Sequence, residues 1–248
     1  MLDALLAEIG RREREVTSRP RHPAGTVPDG LDLVAFTRAK VEPMVRGLFP
    51  RKGQGAVLML LDGSVVFLTS ETIQTIVRQA SSLRDSWRLA SMYLSSIGAE
   101  PVGEEERYLV GYSVDTTCYV SLEYFAEEDR FADFIVHEAA HVFHNTKRET
   151  IGLPHTRTRE WLLPIDFGKR ETFAYACEAY SRILVLAKRP ADRRALFAEL
   201  ADSTLPLDER VLAEEYLDIL GEAVEPRNGW RVILERCSVP RRSRGLRT

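Results

Sequence analysis

The chain is short of the residues that mark several whole classes of protein. It has three cysteines in 248 residues, Cys118, Cys177 and Cys237. The number is odd and the spacing unpaired, which argues against a disulfide framework and for a reducing compartment. No run approaches the roughly 20 apolar residues of a membrane span. The opening "MLDALLAEIGRREREV" lacks the apolar core and cleavage site of a secretory leader. A cytoplasmic protein is expected. There is no excess of charge either: the net value is −3, so a field that gathers nucleic acid or a membrane surface is not expected. Lysine supplies only 5 of the 34 basic residues, which we attribute to coding bias rather than function. Histidine is scarce too, with five in all, yet three of them fall within "FIVHEAAHVFHN", residues 134–145.

What is present is ordinary for a water-soluble domain: 44% hydrophobic and 29% charged residues. The length allows one large domain with appendages. Leu2, Leu5, Leu6 and Ile9 recur at helical spacing and predict a short amphipathic helix. Residues 17–30 carry three prolines and two glycines and read as a linker. A helix is expected over 31–48. "AVLMLLDGSVVFLTS" reads as two strands turning at Asp62-Gly63. Ser70 is placed to cap a helical stretch reaching Ser96, with a break near Ser81-Ser82.

"RYLVGYSVDTTCYVSLEYF" predicts an antiparallel pair turning at residues 115–117. Residues 127–149 then read as one helix, acidic at its start and basic at its end. A break of about twenty residues follows, of a length associated with functional loops. Residues 169–188 return to helix, and two or three more helices fill 191–237. This divides the chain into an N-terminal helix and linker (1–30), a main domain that carries the histidine cluster (31–190), a C-terminal helical part (191–238) and a basic tail (239–248).

His137 and His141 are four apart, which on a helix puts both imidazoles on one face within reach of a single ion. Glu138 stands beside the first, able to reach a metal-bound water without ligating the metal. This is the H-E-x-x-H arrangement, with zinc on two histidines and the glutamate as general base. His144 lies seven residues beyond His137, about 10.5 Å along the axis, too far for one ion to bind all three. The third ligand is therefore expected from another element. The helix that begins near Lys169 offers Glu171 and Glu178, themselves about 10.5 Å apart, so that one of the two binds.

"HEAAH" followed some thirty residues later by "ETFAYA" resembles the gluzincin branch of the zincin metallopeptidases, over roughly residues 108–184. The resemblance implies an α+β, zincin-like fold: a small antiparallel or mixed sheet packed on the metal helix, a second ligand-bearing helix, and here a helical C-terminal part. It implies a third ligand in an E-x-x-A setting, which Glu171 and Ala174 match. It also implies that the outer strand before the metal helix pairs with extended substrate; the expected track is residues 109–113. Many gluzincins carry an acidic residue four after the ligand glutamate, to orient a ligand histidine. That position is Tyr175 here, so either its hydroxyl takes the role or another residue does. The third histidine and glycine of the metzincin pattern are missing. His155, Tyr175 and Tyr180 are the candidates for stabilising an oxyanion.

The expected function is zinc-dependent peptide-bond hydrolysis, with Glu138 activating a zinc-bound water. Zn²⁺ is the expected cofactor and a protein or peptide the expected substrate. Two other classes fit the same residues: a regulatory or sensor protein that keeps the zinc fold, and an effector protease with a single target. Oligomeric state is not legible.

Overall fold

Period-two alternation builds the sheet. In β1 (Val65–Phe67) and β3 (Thr117–Val120), Val65, Phe67, Cys118 and Val120 point one way, into the main core. Val66 and Tyr119 point the other way, into a second, smaller core, as does Tyr112 of β2 (Gly111–Val114). The strand order is β1-β3-β2, with β1 parallel to β3 and β2 antiparallel to it. The turn between β2 and β3 puts Asp115 in the left-handed region, φ 51°, a conformation that aspartate tolerates better than most residues. The expected antiparallel pair is present, and β2 is its outer member.

The structure, a computed structural model, describes residues 1–17, 27–102, 110–155, 159–203 and 205–240. Most of the expected linker, the start of the expected outer strand at 108–109 and all but two residues of the tail lie outside these. The described residues form an α+β fold, mostly helical, with ten α-helices and the three-stranded mixed sheet. None of these helices is long and apolar enough to cross a membrane.

The smaller core is made by α1 (Leu2–Thr17), α4 (Ile73–Gln79) and α5 (Leu83–Ser96) on one face of the sheet. Leu5, Leu6 and Ile9 of α1 are buried there, as their spacing requires. The break at Ser81-Ser82 is real, because the Ser82 hydroxyl accepts from the Asp85 N–H at 3.1 Å and starts α5. Ser70 does not cap α4; its N-cap residue is Thr72, whose hydroxyl donates instead to the Phe67 carbonyl.

On the opposite face lie α2 (Leu33–Leu48), α3 (Arg51–Asp62), α6 (Phe134–Asn145), α7 (Arg170–Leu186), α9 (Ala213–Ala223) and α10 (Gly229–Cys237). Helix α8 (Pro190–Ala201) contributes Leu200. One continuous core therefore runs from α2 to α10. Gly47 lets α2 and α10 meet: a Cβ there would lie 2.1 Å from Trp230 Cδ1. All three cysteines are buried free thiols.

Two elements differ from the sequence expectation. The run at 56–61 is not a strand of a hairpin but the second half of α3. Val57, Leu58 and Leu61 are buried while Met59 is 75% exposed, which is a helical phase. Asp62-Gly63 ends that helix instead of turning a hairpin, and only 65–67 enter the sheet. The histidine-bearing helix is also shorter than 127–149. Glu127 Oε1 accepts from the Asp129 N–H and Asp129 Oδ1 from the Phe131 N–H. These local bonds hold the segment in turns, and the helix begins only at Phe134.

Candidate metal centre

Helix α6 lies between the sheet and α7. Ile135, Val136, Ala139, Val142 and Phe143 anchor it on several sides, so its histidines are held inside the fold rather than on a free surface. His137, Glu138, His141 and His144 are all buried. Helix α7 runs past α6 in the opposite sense, with His141 beside Glu171 and His137 beside Glu178.

Three donor atoms converge. His137 Nε2 and His141 Nε2 are 3.2 Å apart. Glu171 Oε2 is 3.3 Å from the second and 3.8 Å from the first. His137, His141 and Glu171 are the group among the described residues whose donors could hold one metal ion. Tetrahedral zinc with bonds of about 2.0–2.2 Å puts its ligand atoms about 3.3–3.6 Å apart, so the donor triangle fits.

The hydrogen bonds behind the imidazoles point the same way. His137 Nδ1 lies 3.0 Å from Glu178 Oε2, which only accepts, so Nδ1 carries a proton and Nε2 is the nitrogen that faces the centre. Glu178 Oε1 accepts from the Asp133 N–H at 2.7 Å, and Asp133 in turn pairs with Lys40. His141 Nδ1 lies 3.2 Å from His144 Nε2. Burial holds His144 at a pKa of about 3, so it is neutral and can accept that proton. Its own Nδ1 is buried without a partner among the described residues. The centre favours positive charge. Burial alone would lower the His137 pKa, but Glu171 and Glu178 outweigh it and push the value up to about 10. Burial likewise opposes ionisation of Glu171, yet His137, His141 and Arg210 hold its carboxyl well below the usual range.

Glu138 is not one of the three donors. Its carboxylate is turned to β2, where the Ser113 hydroxyl faces it. Gly111 makes the room: a Cβ there would stand 2.6 Å from Glu138 Oε1 and 2.8 Å from its Cγ. Burial raises the Glu138 pKa, against the pull of His137 and His141.

The remaining candidates separate. Tyr175 packs edge-on against His137, ring centroids 4.5 Å apart, and the orienting role falls to Glu178, three residues further on. His155 is 62% exposed and faces Glu149 at 3.5 Å, so the structure does not bring it to the donors. Tyr180 is buried against Trp230, its hydroxyl accepting from the Gly229 N–H at 3.0 Å; it secures α10. Glu178 and His144 are not among the three donors, in keeping with the helical spacing.

Arg210 was not visible from sequence. It comes from the turn before α9, and its guanidinium binds Glu171 Oε1 at 2.7 Å and Asp208 at 2.5 Å. This leaves Oε2 for the centre. An arginine 39 positions from its glutamate, in a charged loop, carries no local signal.

On β2 the register pairs Val114 with Thr117 across a two-residue turn, and the Ser121 N–H donates to the Val110 carbonyl at 2.8 Å. By alternation Tyr112 spends its backbone groups on β3, while those of Gly111 and Ser113 face away from the sheet. Among the described residues no strand pairs with that side. The expected track along 109–113 is thus available at Gly111 and Ser113, and residue 109 lies outside the described residues. No family model, no curated protein and no solved structure matches the chain, so the centre is read from its own geometry.

Proposed function

We propose that the chain is a zinc-dependent hydrolase of peptide bonds, built in the manner of the zincin metallopeptidases. The observation that carries this reading is the company Glu138 keeps. An acid outside the donor set stands in the same buried cluster as a His-His-Glu triangle of metal-ligand spacing, against a strand whose outer edge no described strand pairs.

Zinc held by His137, His141 and Glu171 would supply a Lewis acid that polarises a carbonyl and acidifies water. The chain supplies the rest. Glu138 accepts a proton on its carboxylate and returns it to the leaving amine. Its raised pKa matches it to both halves of that task. Glu178 and His144 fix the tautomers of the two ligand histidines, and Arg210 holds the outer oxygen of Glu171. Gly111 and Ser113 offer backbone donors and acceptors to an extended peptide beside Glu138.

The test is a mixed peptide library treated with the purified chain and read by mass spectrometry. Cleavage should vanish when a chelator strips the metal and return with zinc. A zinc-loaded, folded chain that cuts no peptide would refute the reading.

A further inference from the structure

A glutamate side chain has several rotatable bonds, and the seat of Glu138 is roomy. Where its carboxylate meets β2 at Gly111 there is no side chain to hold it. A proton acceptor that serves one water has to be held to a fraction of an ångström. The charged groups that act on this carboxylate include His137, His141 and Glu171. Charge acts at a distance without fixing an angle, whereas a hydrogen bond fixes one.

The strand carries a hydroxyl in the right place. Gly111 pairs with Val120 and Ser113 with Cys118, and residues paired across a ladder point to the same face. Cys118 and Val120 are buried in the main core, on the side of the sheet where α6 lies. Ser113 therefore points with Gly111 toward α6, while Tyr112 points the other way into the smaller core. Gly111 and Ser113 are about 7 Å apart along the strand. The Glu138 carboxylate lies over the first, and the hydroxyl of the second faces it. The charge of Glu138 also reaches Cys118, opposite Ser113, which puts the carboxylate over the same rungs of the ladder. A carboxylate only accepts, so in this pair the serine is the donor.

We propose that Ser113 positions the general base: its hydroxyl donates to the Glu138 carboxylate and holds it at the centre, while the backbone of the same residue faces the peptide track. The inference rests on the hydrolase reading above. A peptide laid along β2 is then held by the strand that also holds the base, so that the bond to be cut and its proton acceptor are fixed to one piece of backbone. The serine touches neither the donors nor the reacting atoms and acts through Glu138.

Two measurements on the full-length, zinc-loaded chain test this, with Ser113→Ala, Ser113→Thr and Ser113→Val. Threonine keeps the hydroxyl, and valine keeps the shape of threonine without it. The first measurement is calorimetric binding of acetohydroxamate, a small zinc chelator whose hydroxyl also hydrogen-bonds an acid beside the metal. Ser113→Ala should weaken it roughly tenfold at unchanged zinc content. Threonine should recover most of the affinity and valine none. In a Glu138→Ala background Ser113→Ala should change it by less than about twofold, because residues that act through one another are not additive. The second measurement is turnover of a peptide taken from the library digest. In Ser113→Ala kcat should fall about 10- to 100-fold with KM within about twofold, since the backbone that holds the peptide is untouched. Wild-type affinity or wild-type kcat in Ser113→Ala would overturn the role, as would recovery by valine equal to that by threonine, or an undiminished loss without Glu138. Should the alanine variant fail to fold, the threonine and valine pair carries the comparison. A wild-type chain that cuts no peptide, with hydroxamate affinity that follows the hydroxyl as above, would keep the role of Ser113 and sink the hydrolase. Peptide cleavage that is indifferent to the hydroxyl would do the reverse. A zinc-loaded wild-type chain that binds no hydroxamate and cuts no peptide would overturn both.

Discussion

Glu178 holds His137 from behind: its Oε2 lies 3.0 Å from the imidazole Nδ1, and its other oxygen caps the Asp133 N–H. One carboxylate thus ties the start of the metal helix to the middle of its neighbour. Glu178→Gln keeps the shape and loses the charge. Zinc affinity should fall roughly 10- to 100-fold, measured by competition with a chromophoric chelator, with the circular dichroism spectrum unchanged. An unaltered affinity would show that the bond is incidental.

One zinc per chain is expected, and its removal should lower thermal stability, because the ion binds only the folded arrangement. Elemental analysis and melting curves with and without chelator measure this. In His137→Ala both the zinc and its stabilising effect should disappear.

Glu138→Gln should retain zinc while peptide cleavage drops by about 10²- to 10⁴-fold, the usual weight of a general base. Loss of zinc in this variant would instead place Glu138 among the ligands.

Gly111→Ala tests the seat of Glu138 without altering any polar group. The new methyl would stand 2.6 Å from Glu138 Oε1 and 2.8 Å from Cγ, so the side chain must shift as a whole. Cleavage should fall by at least about 10²-fold, since small displacements of a reacting group are costly, while zinc content stays at one. Wild-type turnover would mean that the position of Glu138 against β2 is immaterial.

Gly47→Ala addresses the fold alone. Its Cβ would overlap Trp230, whose Cδ1, Cγ and Cβ all lie within 2.7 Å. Forcing α2 and α10 apart should cost about 1–3 kcal/mol, read as a lower denaturation midpoint at unchanged slope.

Much of the centre was legible because it is local. His137 and His141 are one turn apart on a helix whose apolar faces are plain, and Glu171 opens the next long helix. Other features are not local. The apolar run at 56–61 has no internal period, so nothing within it separates strand from helix; the choice is made by the packing of Val57, Leu58 and Leu61 into the main core. The resemblance puts an orienting acid four residues after Glu171, where this chain has Tyr175, and so leaves open whether the tyrosine or another residue faces the histidine. The residue that faces His137 Nδ1 is Glu178, since two antiparallel helices carry a residue seven positions along α7 to the histidine one turn back along α6. That spacing ruled Glu178 out as a fellow ligand of Glu171 and said nothing about reach to the far side of an imidazole. Arg210 depends wholly on how the turn before α9 folds back.

On the hydrolase reading, the described length of β2 sets how this molecule would read a polypeptide. Gly111–Val114 is four residues, about 13 Å of strand. Only alternate residues present their backbone outward, so among the described residues an added chain would meet two, Gly111 and Ser113. Such a clamp is blind to sequence, because every peptide carries the same amide groups. It is also too brief to hold a chain by itself. Selectivity must come from side chains seated beside it, and a partner offering only an extended backbone would leave as readily as it came.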